Sequence, residues 1–218
     1  TLAYTFSDSF WFSAVEAEVY GMSSFFTAFV FWAILKWENI ELESDGNRWL
    51  ILIAYMMGLS IGVHLLNLVT IPALALIVYF KKYQKTTKLG VLVTLASAGA
   101  IIILIMVGVI PGLPSVAGSL ELFFVNGLGL PFGSGVIFFA ILFLGALVYG
   151  LYYTVKKQKL ALNTILLSFT FIIIGYSSYM IVPIRSAYNP PIDENNPEDI
   201  LSFVSYLKRE QYGSRPLF

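Results

Sequence analysis

Long apolar runs alternate with short polar connectors along this chain. Leu89–Leu120, Leu122–Val155 and Leu160–Ile184 contain no Asp, Glu, Lys or Arg, and Trp49–Phe80 lacks them too but holds His64 near its middle. A helix of about 20 mostly apolar residues crosses a bilayer core of about 30 Å. Because soluble cores do not produce uncharged runs of this length, the pattern predicts helices inserted in a membrane.

The apolar runs predict six membrane helices. Trp49–Phe80 is divided in two, because one helix over its 32 residues would be about 48 Å long, which exceeds an ordinary span. The two halves are expected to meet near Gly62–Asn67, with both outer ends on the same side. Pro111–Pro114 is expected to end the next helix, and Ser115–Ser134 to form a loop with a short interfacial helix. The predicted spans are about residues 10–35, 49–63, 66–80, 89–110, 135–155 and 160–183.

A polar tail follows the last predicted span. The sequence divides into a transmembrane region, residues 1–184, and an extracytoplasmic tail, residues 185–218. An amphipathic helix is expected over about Pro197–Gln211, with Asn196 as its N-cap and Gly213 as its stop. The stretch from Arg185 to Pro191 is expected to be a rigid, non-helical exit from the membrane.

Composition narrows the possible functions. The chain is 58% apolar and 12% charged, against about 45–50% and about 25% in soluble domains, and its mean hydropathy is +0.80. The formal net charge is zero, which argues against nucleic acid as a partner, since that needs a basic face. No cysteine is present, so disulfides, thiolate nucleophiles and cysteine metal sites are excluded. With a single histidine as well, no metal site and no cofactor is predicted.

The basic connectors predict the orientation in the membrane. Lys81–Lys88 and Lys156–Lys159 are rich in lysine and are separated by two spans, so both are expected on the cytoplasmic side. The Lys36–Arg48 connector then lies on that side too. His64 and the tail after Arg185 fall on the outer side.

This orientation gathers the ionisable and polar residues of the spans near the outer face. Such groups are costly at membrane depth and usually face a cavity or a partner. Glu16 and Glu18 either lie in the headgroup region or line a site, and they point about 200° apart on a helix. His64, one turn before Asn67, is either a helix–helix hydrogen-bonding group or part of a site. Arg185 is either an interfacial anchor or a phosphate clamp.

Several segments together resemble a known family. That family was long described only as a domain of unknown function, is related to protein O-mannosyltransferases and belongs to the glycosyltransferase C superfamily. Almost the whole chain takes part in the resemblance, and the combination of motifs is more specific than any one of them. The segments are Trp11–Tyr20, Gly58–Asn67, Arg185, Asn189–Asp193, Asn196–Pro197 and Arg209–Gly213.

The resemblance implies an all-α, multipass glycosyltransferase C bundle that is incomplete at both ends. It implies an enzyme that moves a hexose, by the resemblance mannose, from a polyprenyl-phosphate donor to Ser or Thr of exported proteins. Such enzymes work at the extracytoplasmic face of a membrane, here expected to be a bacterial inner membrane. The substrate-binding residues implied here are Arg185 for the donor phosphate, with Glu16, Glu18, His64, Asn67 and Asn189 around it.

One departure from the family concerns the catalytic base. Members carry an acidic loop after their first span and a His-Pro-Pro-Gly-like stretch, and neither is present here. The chain is therefore expected to be a fragment that lacks the base and is inactive by itself. The main alternative is a transporter or lipid flippase with a polar site at the outer leaflet, and a non-catalytic membrane scaffold is a third possibility.

Overall fold

The computed structural model describes residues 2–16, 18–41 and 43–213. All regular structure in these ranges is helical. The α-helices are α1 Leu2–Thr5, α2 Asp8–Val15, α3 Tyr20–Glu38, α4 Glu43–Ile61, α5 Ile71–Lys82, α6 Lys88–Ile103, α7 Leu113–Leu122, α8 Ser134–Lys156, α9 Leu160–Tyr176, α10 Ile181–Ser186 and α11 Ile200–Lys208. The predicted all-α membrane bundle is thus confirmed at the level of fold class.

Four helices in the described ranges are long and apolar enough to cross a membrane. They are Leu65–Lys82, Lys88–Gly127, Ser134–Lys156 and Leu160–Ser186, and α2 with α3 would make a fifth if that bent pair were one span. The predicted span at 49–63 is absent from this group. Its helix, α4, begins with the polar residues up to Arg48, so the apolar part is shorter than the about 20 residues a span requires.

The chain divides into two compact units. The first contains Thr1–Gly99 and Gln158–Tyr179, and the second contains Ala100–Lys157 and Met180–Phe218. In the first unit, α4 packs along α9 and α3. Two glycines allow the closest approach of α4 and α9: Gly58 lies against the backbone of Ile172, and a methyl group on Gly175 would lie 2.5 Å from the Tyr55 carbonyl oxygen.

The helices α4 and α5 form a hairpin that returns to its starting end. The chain leaves the α-helix after Ile61, turns through Gly62–His64 and continues as a 3₁₀ helix, Leu65–Thr70, into α5. At the other end of α5, Lys81 Nζ donates to the carbonyls of Trp37 and Ile40, at 2.6 and 2.8 Å. Gly46, in the first turn of α4, also lies against the Trp37 ring. Both outer ends of the hairpin are therefore at the C-terminal end of α3.

The first predicted span, residues 10–35, is wrong as a single helix. The structure has two helices there, α2 and α3, inclined at 112°. Glu16 ends α2 in an extended conformation, with φ −65° and ψ 148°. Gly21 permits the sharp turn, because the missing side chain leaves room for the Ala14 backbone, 3.2 Å from where a Cβ would lie. Glu16 and Glu18 interrupt the apolar pattern at this turn, although the apolar residues on both sides of it predict one continuous helix.

The predicted end at Pro111–Pro114 and the loop after it are wrong. Helix continues unbroken from Lys88 to Gly127, with π-helical turns at Leu104–Gly112 and Phe123–Gly127. Pro111 lies inside the first of these wider turns, where a proline is accommodated by the altered hydrogen bonding. Gly112 is needed there, since a Cβ would lie 2.7 Å from the Val107 carbonyl oxygen.

The tail also differs from its predicted form. Arg185 lies within the short helix α10, so the exit begins only after Ser186. The amphipathic helix α11 spans Ile200–Lys208, shorter than predicted, and its N-cap is Asp199, whose carboxylate accepts from Leu201 and Ser202 N–H. Asn196 was the wrong cap because its own side chain binds Ser186. Helix α11 packs on Gly118 of α7 rather than standing alone.

Candidate functional site

One end of the first unit carries Glu16, Glu18 and His64. Both acids are exposed and flank the turn between α2 and α3. Tyr20, the first residue of α3, brings this turn to His64, with ring centroids 6.3 Å apart. His64 is exposed and caps the 3₁₀ helix, since its Nδ1 accepts the Leu66 N–H at 3.1 Å. The capping bond leaves Nε2 as the ring nitrogen that can serve a ligand.

Asn67 is not exposed at this end but lies inside the helix packing. Its side chain has no accessible surface. Its Nδ2 is 3.1 Å from Ser60 Oγ and 3.1 Å from Met57 Sδ, and its Oδ1 accepts the Thr27 hydroxyl at 3.3 Å. Asn67 therefore joins α3, α4 and the 3₁₀ helix. Its side chain cannot contact a ligand directly and can affect one only by holding these elements in place.

The opposite end of the first unit is basic. Lys81 and Lys82 lie there beside the end of α3, in a cleft of about 330 Å³ that also contains Asn47. Helix α9 runs in the same direction as α4, because Gly58 meets Ile172 while Gly62 and Ser178, just past the C-terminal ends of the two helices, also lie together. Lys159, just before α9, therefore lies at this end too. The two ends of the unit thus differ in chemistry: one is rich in lysine, and the other holds Glu16, Glu18 and His64.

The second unit contains a polar cleft of about 250 Å³ formed by α10, α11 and the loop between them. Arg185 is exposed on its wall and is the one basic side chain among the described residues that line it. Within the described ranges its guanidinium has no hydrogen-bond or ion-pair partner. The other polar side chains lining the cleft are Ser186, Asp193, Glu194 and Tyr206.

Hydroxyl groups hold both acids of this cleft. Ser186, only 2% exposed, donates to Asp193 Oδ2 at 2.8 Å, and its oxygen also lies 3.1 Å from Asn196 Oδ1. The Tyr212 hydroxyl donates to Glu194 Oε1 at 2.9 Å. The loop that carries the acids is shaped by Asn189, Asn195 and Asn196 in the left-handed region, at φ 48°, 65° and 42°. Asn189 is exposed, and its backbone N–H donates to the Ser186 carbonyl at 2.8 Å.

Glu121 is a buried carboxylate at the start of α8. It is 1% exposed, and it accepts the backbone N–H groups of Gly133 and Val136, the latter at 3.0 Å. A carboxylate at a helix N-terminus satisfies free N–H donors and meets the positive end of the helix dipole. Gly135 allows this approach, since its Cβ would lie 2.5 Å from Glu121 Cα. This contact joins α7 to α8.

An apolar cleft of about 300 Å³ lies beside that helix start. Phe132, Val136, Met180, Pro183 and Glu198 are among the residues that line it. Within the described ranges no group of three or more His, Asp or Glu is placed to hold a metal ion.

The structure therefore distributes the predicted site residues over both units. It brings Glu16, Glu18 and His64 to one end of the first unit, with Asn67 buried behind them. Arg185 and Asn189 belong to the polar loop region of the second unit. Sequence reasoning missed the roles of Ser186, Glu194 and Glu121. The Asp193–Asn196 segment was a visible signal, since acids and asparagines between two prolines are typical of an ordered turn.

Taken together, the uncharged spans and the helical units define an integral membrane protein of the multipass α-helical class. Residues 1–87 match the family model described as the Protein O-mannosyl-transferase TMEM260 N-terminal domain. This part of the chain is thus similar to an O-mannosyltransferase family domain, which supports a glycosyltransferase relationship at a coarse level. No curated protein and no solved structure matches the chain.

Proposed function

We propose that this chain is part of a membrane glycosyltransferase that transfers a hexose from a polyprenyl-phosphate donor to Ser or Thr hydroxyls of exported proteins. The family match over residues 1–87 supports the reaction class. The observation that carries the proposal is Arg185, an exposed and unpaired guanidinium in a polar cleft of the described structure. Mannose is the sugar that the matched family's description favours.

The proposed reaction is a single inverting displacement. A base removes the proton of the acceptor hydroxyl, the hydroxyl oxygen bonds to the anomeric carbon, and the bond from that carbon to the phosphate oxygen breaks. The lipid phosphate leaves with the electron pair. Arg185 is proposed to stabilise this leaving charge, because a guanidinium offers a planar pair of donors that matches phosphate oxygens. No residue of the chain is assigned as the base.

The remaining predicted site residues have different proposed roles. Glu16, Glu18 and His64 are exposed and can contact the sugar or the acceptor directly. Asn67 is proposed to act indirectly, since its side chain is buried and occupied. Asn189 is proposed to shape the loop beside Arg185 through its left-handed backbone.

The proposed orientation places the Glu16, Glu18 and His64 end outside and the lysine-rich end in the cytoplasm. Support comes from the position of Lys81, Lys82 and Lys159 at one end of the first unit. Lys and Arg are concentrated in cytoplasmic connectors of membrane proteins. A bacterial inner membrane is the proposed location.

The test is hexose transfer by the protein expressed from its complete gene, with polyprenyl-phosphate hexoses as donors. We expect Arg185→Ala to lower kcat/KM for the donor about 10- to 100-fold, as expected for hydrogen bonds to a charged group. The kcat/KM of Arg185→Lys should fall between those of the wild type and Arg185→Ala, because lysine keeps the charge but lacks the planar pair of donors. Lys208→Ala, an exposed cation of α11 outside the cleft, is the matched control.

Two outcomes would count against the proposal. Transfer by the wild type that is equally fast in Arg185→Ala would remove Arg185 from the donor site. No transfer by the wild type with any of several hexose donors would favour the transporter or flippase alternative. Insertion of every variant is checked by membrane fractionation before rates are compared.

A further inference from the structure

The cleft around Arg185 combines one cation with two acids that do not neutralise it. Asp193 and Glu194 line the same cleft as Arg185, yet within the described ranges neither forms an ion pair with the guanidinium. A carboxylate and a guanidinium that share a small cleft normally pair, because the interaction is charge-assisted and geometrically matched.

Two hydroxyl groups hold these acids. Ser186 donates to Asp193 at 2.8 Å, and Tyr212 donates to Glu194 at 2.9 Å. Ser186 is nearly fully buried at the end of α10, so water does not compete with the acid for its hydroxyl. Asn196 Oδ1 lies 3.1 Å from the same oxygen as a second acceptor, and the shorter contact is the one to Asp193. A hydrogen bond to the charged form stabilises a carboxylate without a cation.

We infer that Ser186 and Tyr212 are positioning residues that bind the Asp193 and Glu194 carboxylates and so keep Arg185 free to bind an anionic ligand. Without these hydroxyls, each acid loses its donor, and Arg185 is the one cation of the described cleft lining that can replace it. The acids would then compete with the ligand for Arg185. This inference rests on the proposed function only for the identity of the anion.

The first test measures the availability of Arg185 itself and needs no enzyme activity. The full chain in lipid nanodiscs is treated with phenylglyoxal, and the modification rate of Arg185 is measured by mass spectrometry of its peptide. We expect Ser186→Ala to slow this modification about two- to fivefold, which is the effect of an exposed ion pair. Ser186→Ala with Asp193→Asn should restore the wild-type rate, because the competing charge is gone.

A matched control removes a similar bond outside the cleft. Ser205 donates to Glu210 at 2.9 Å, and neither residue lines the cleft. Ser205→Ala should therefore leave Arg185 modification unchanged. The same comparison applies to the second acid: Tyr212→Phe should slow modification and Tyr212→Phe with Glu194→Gln should restore it, with Tyr188→Phe as control.

The inference is overturned if Arg185 is modified as fast in Ser186→Ala as in the wild type. It is also overturned if adding Asp193→Asn to Ser186→Ala fails to restore the wild-type rate. If Ser186→Ala does not insert in the membrane, the Tyr212 pair of variants decides by the same criteria. A transfer assay then separates this result from the proposed function. Unchanged Arg185 reactivity with active transfer refutes the positioning role alone, whereas the expected reactivity pattern with no transfer by wild type refutes the glycosyltransferase proposal alone.

Discussion

At the scale of single residues, Asn67 was predicted to bind substrate, and the structure shows a buried side chain whose amide is fully used. We expect Asn67→Ala to lower the free energy of unfolding by about 1–3 kcal/mol, because Ser60 and Thr27 lose a buried partner. The measurement is SDS-induced unfolding followed by tryptophan fluorescence. Asn126→Ala, at an exposed asparagine inside a helix, is the comparison, and equal stability of the two variants would contradict the structural role.

Glu121 supports a second prediction at this scale. Glu121→Gln should destabilise the protein by about 1.5–3 kcal/mol, because one oxygen that accepts a backbone N–H becomes an amide that cannot accept it. The Glu16→Gln variant removes an exposed acid and should have little effect. Both are compared by thermal unfolding in the same detergent. A Glu121→Gln midpoint equal to wild type would show that the carboxylate does not hold the start of α8.

At the scale of elements, the glycines of α4 and α9 decide how closely these helices pack. Gly175→Ala should destabilise the first unit strongly, since the methyl group would lie 2.5 Å from Tyr55 O and 2.6 Å from Leu59 N. Overpacking of this kind costs about 1–3 kcal/mol. Gly145→Ala is matched to it, because Gly145 is also inside a helix but has nothing within 4 Å of its Cβ position. It should be neutral or stabilising, by about 1 kcal/mol.

This comparison is read from SDS unfolding midpoints of the two variants. Loss of stability in Gly145→Ala, or none in Gly175→Ala, would contradict the packing of α4 on α9.

The element scale also shows where periodicity misleads. Glu16 and Glu18 interrupt the apolar pattern at the α2–α3 turn, whereas the pattern runs unchanged through the π-helical turn at Pro111, where the helix continues although a break is predicted.

At the scale of the whole molecule, the α4–α5 hairpin makes a prediction about sidedness. The chain has no cysteine, so single-cysteine variants label at one position only. Asn47→Cys and Tyr83→Cys should be labelled by a membrane-impermeant maleimide from one side of the membrane, because the end of α5 meets the end of α3. Leu66→Cys, at the turn of the hairpin, should be labelled from the other side.

Labelling is measured in right-side-out and inverted vesicles. Asn47→Cys and Tyr83→Cys on opposite sides would contradict the hairpin. Leu66→Cys labelled from outside would support the proposed orientation, while labelling from the cytoplasm would reverse the orientation and leave the hairpin intact.

The sequence by itself determined that the chain is a membrane protein, because uncharged runs of this length expose too much apolar surface unless a bilayer core removes them from water. It also indicated the turn near His64 and the common end of the lysine-rich connectors, since both follow from local composition. It singled out Arg185 and His64 as site candidates, because ionisable groups beside spans are rare.

Tertiary structure alone decided what those residues can do. Asn67 is buried and His64 exposed although they are one turn apart, because neighbouring helices cover one and not the other. The partner of Glu121 lies across a helix contact, at Gly133 and Val136, which no periodicity reveals. Arg185 is unpaired in the described structure, and Ser186 and Tyr212 bind the acids of the same cleft. These pairings depend on how the chain folds back on itself, and hydrophobic pattern specifies which face is buried but not which polar groups meet there.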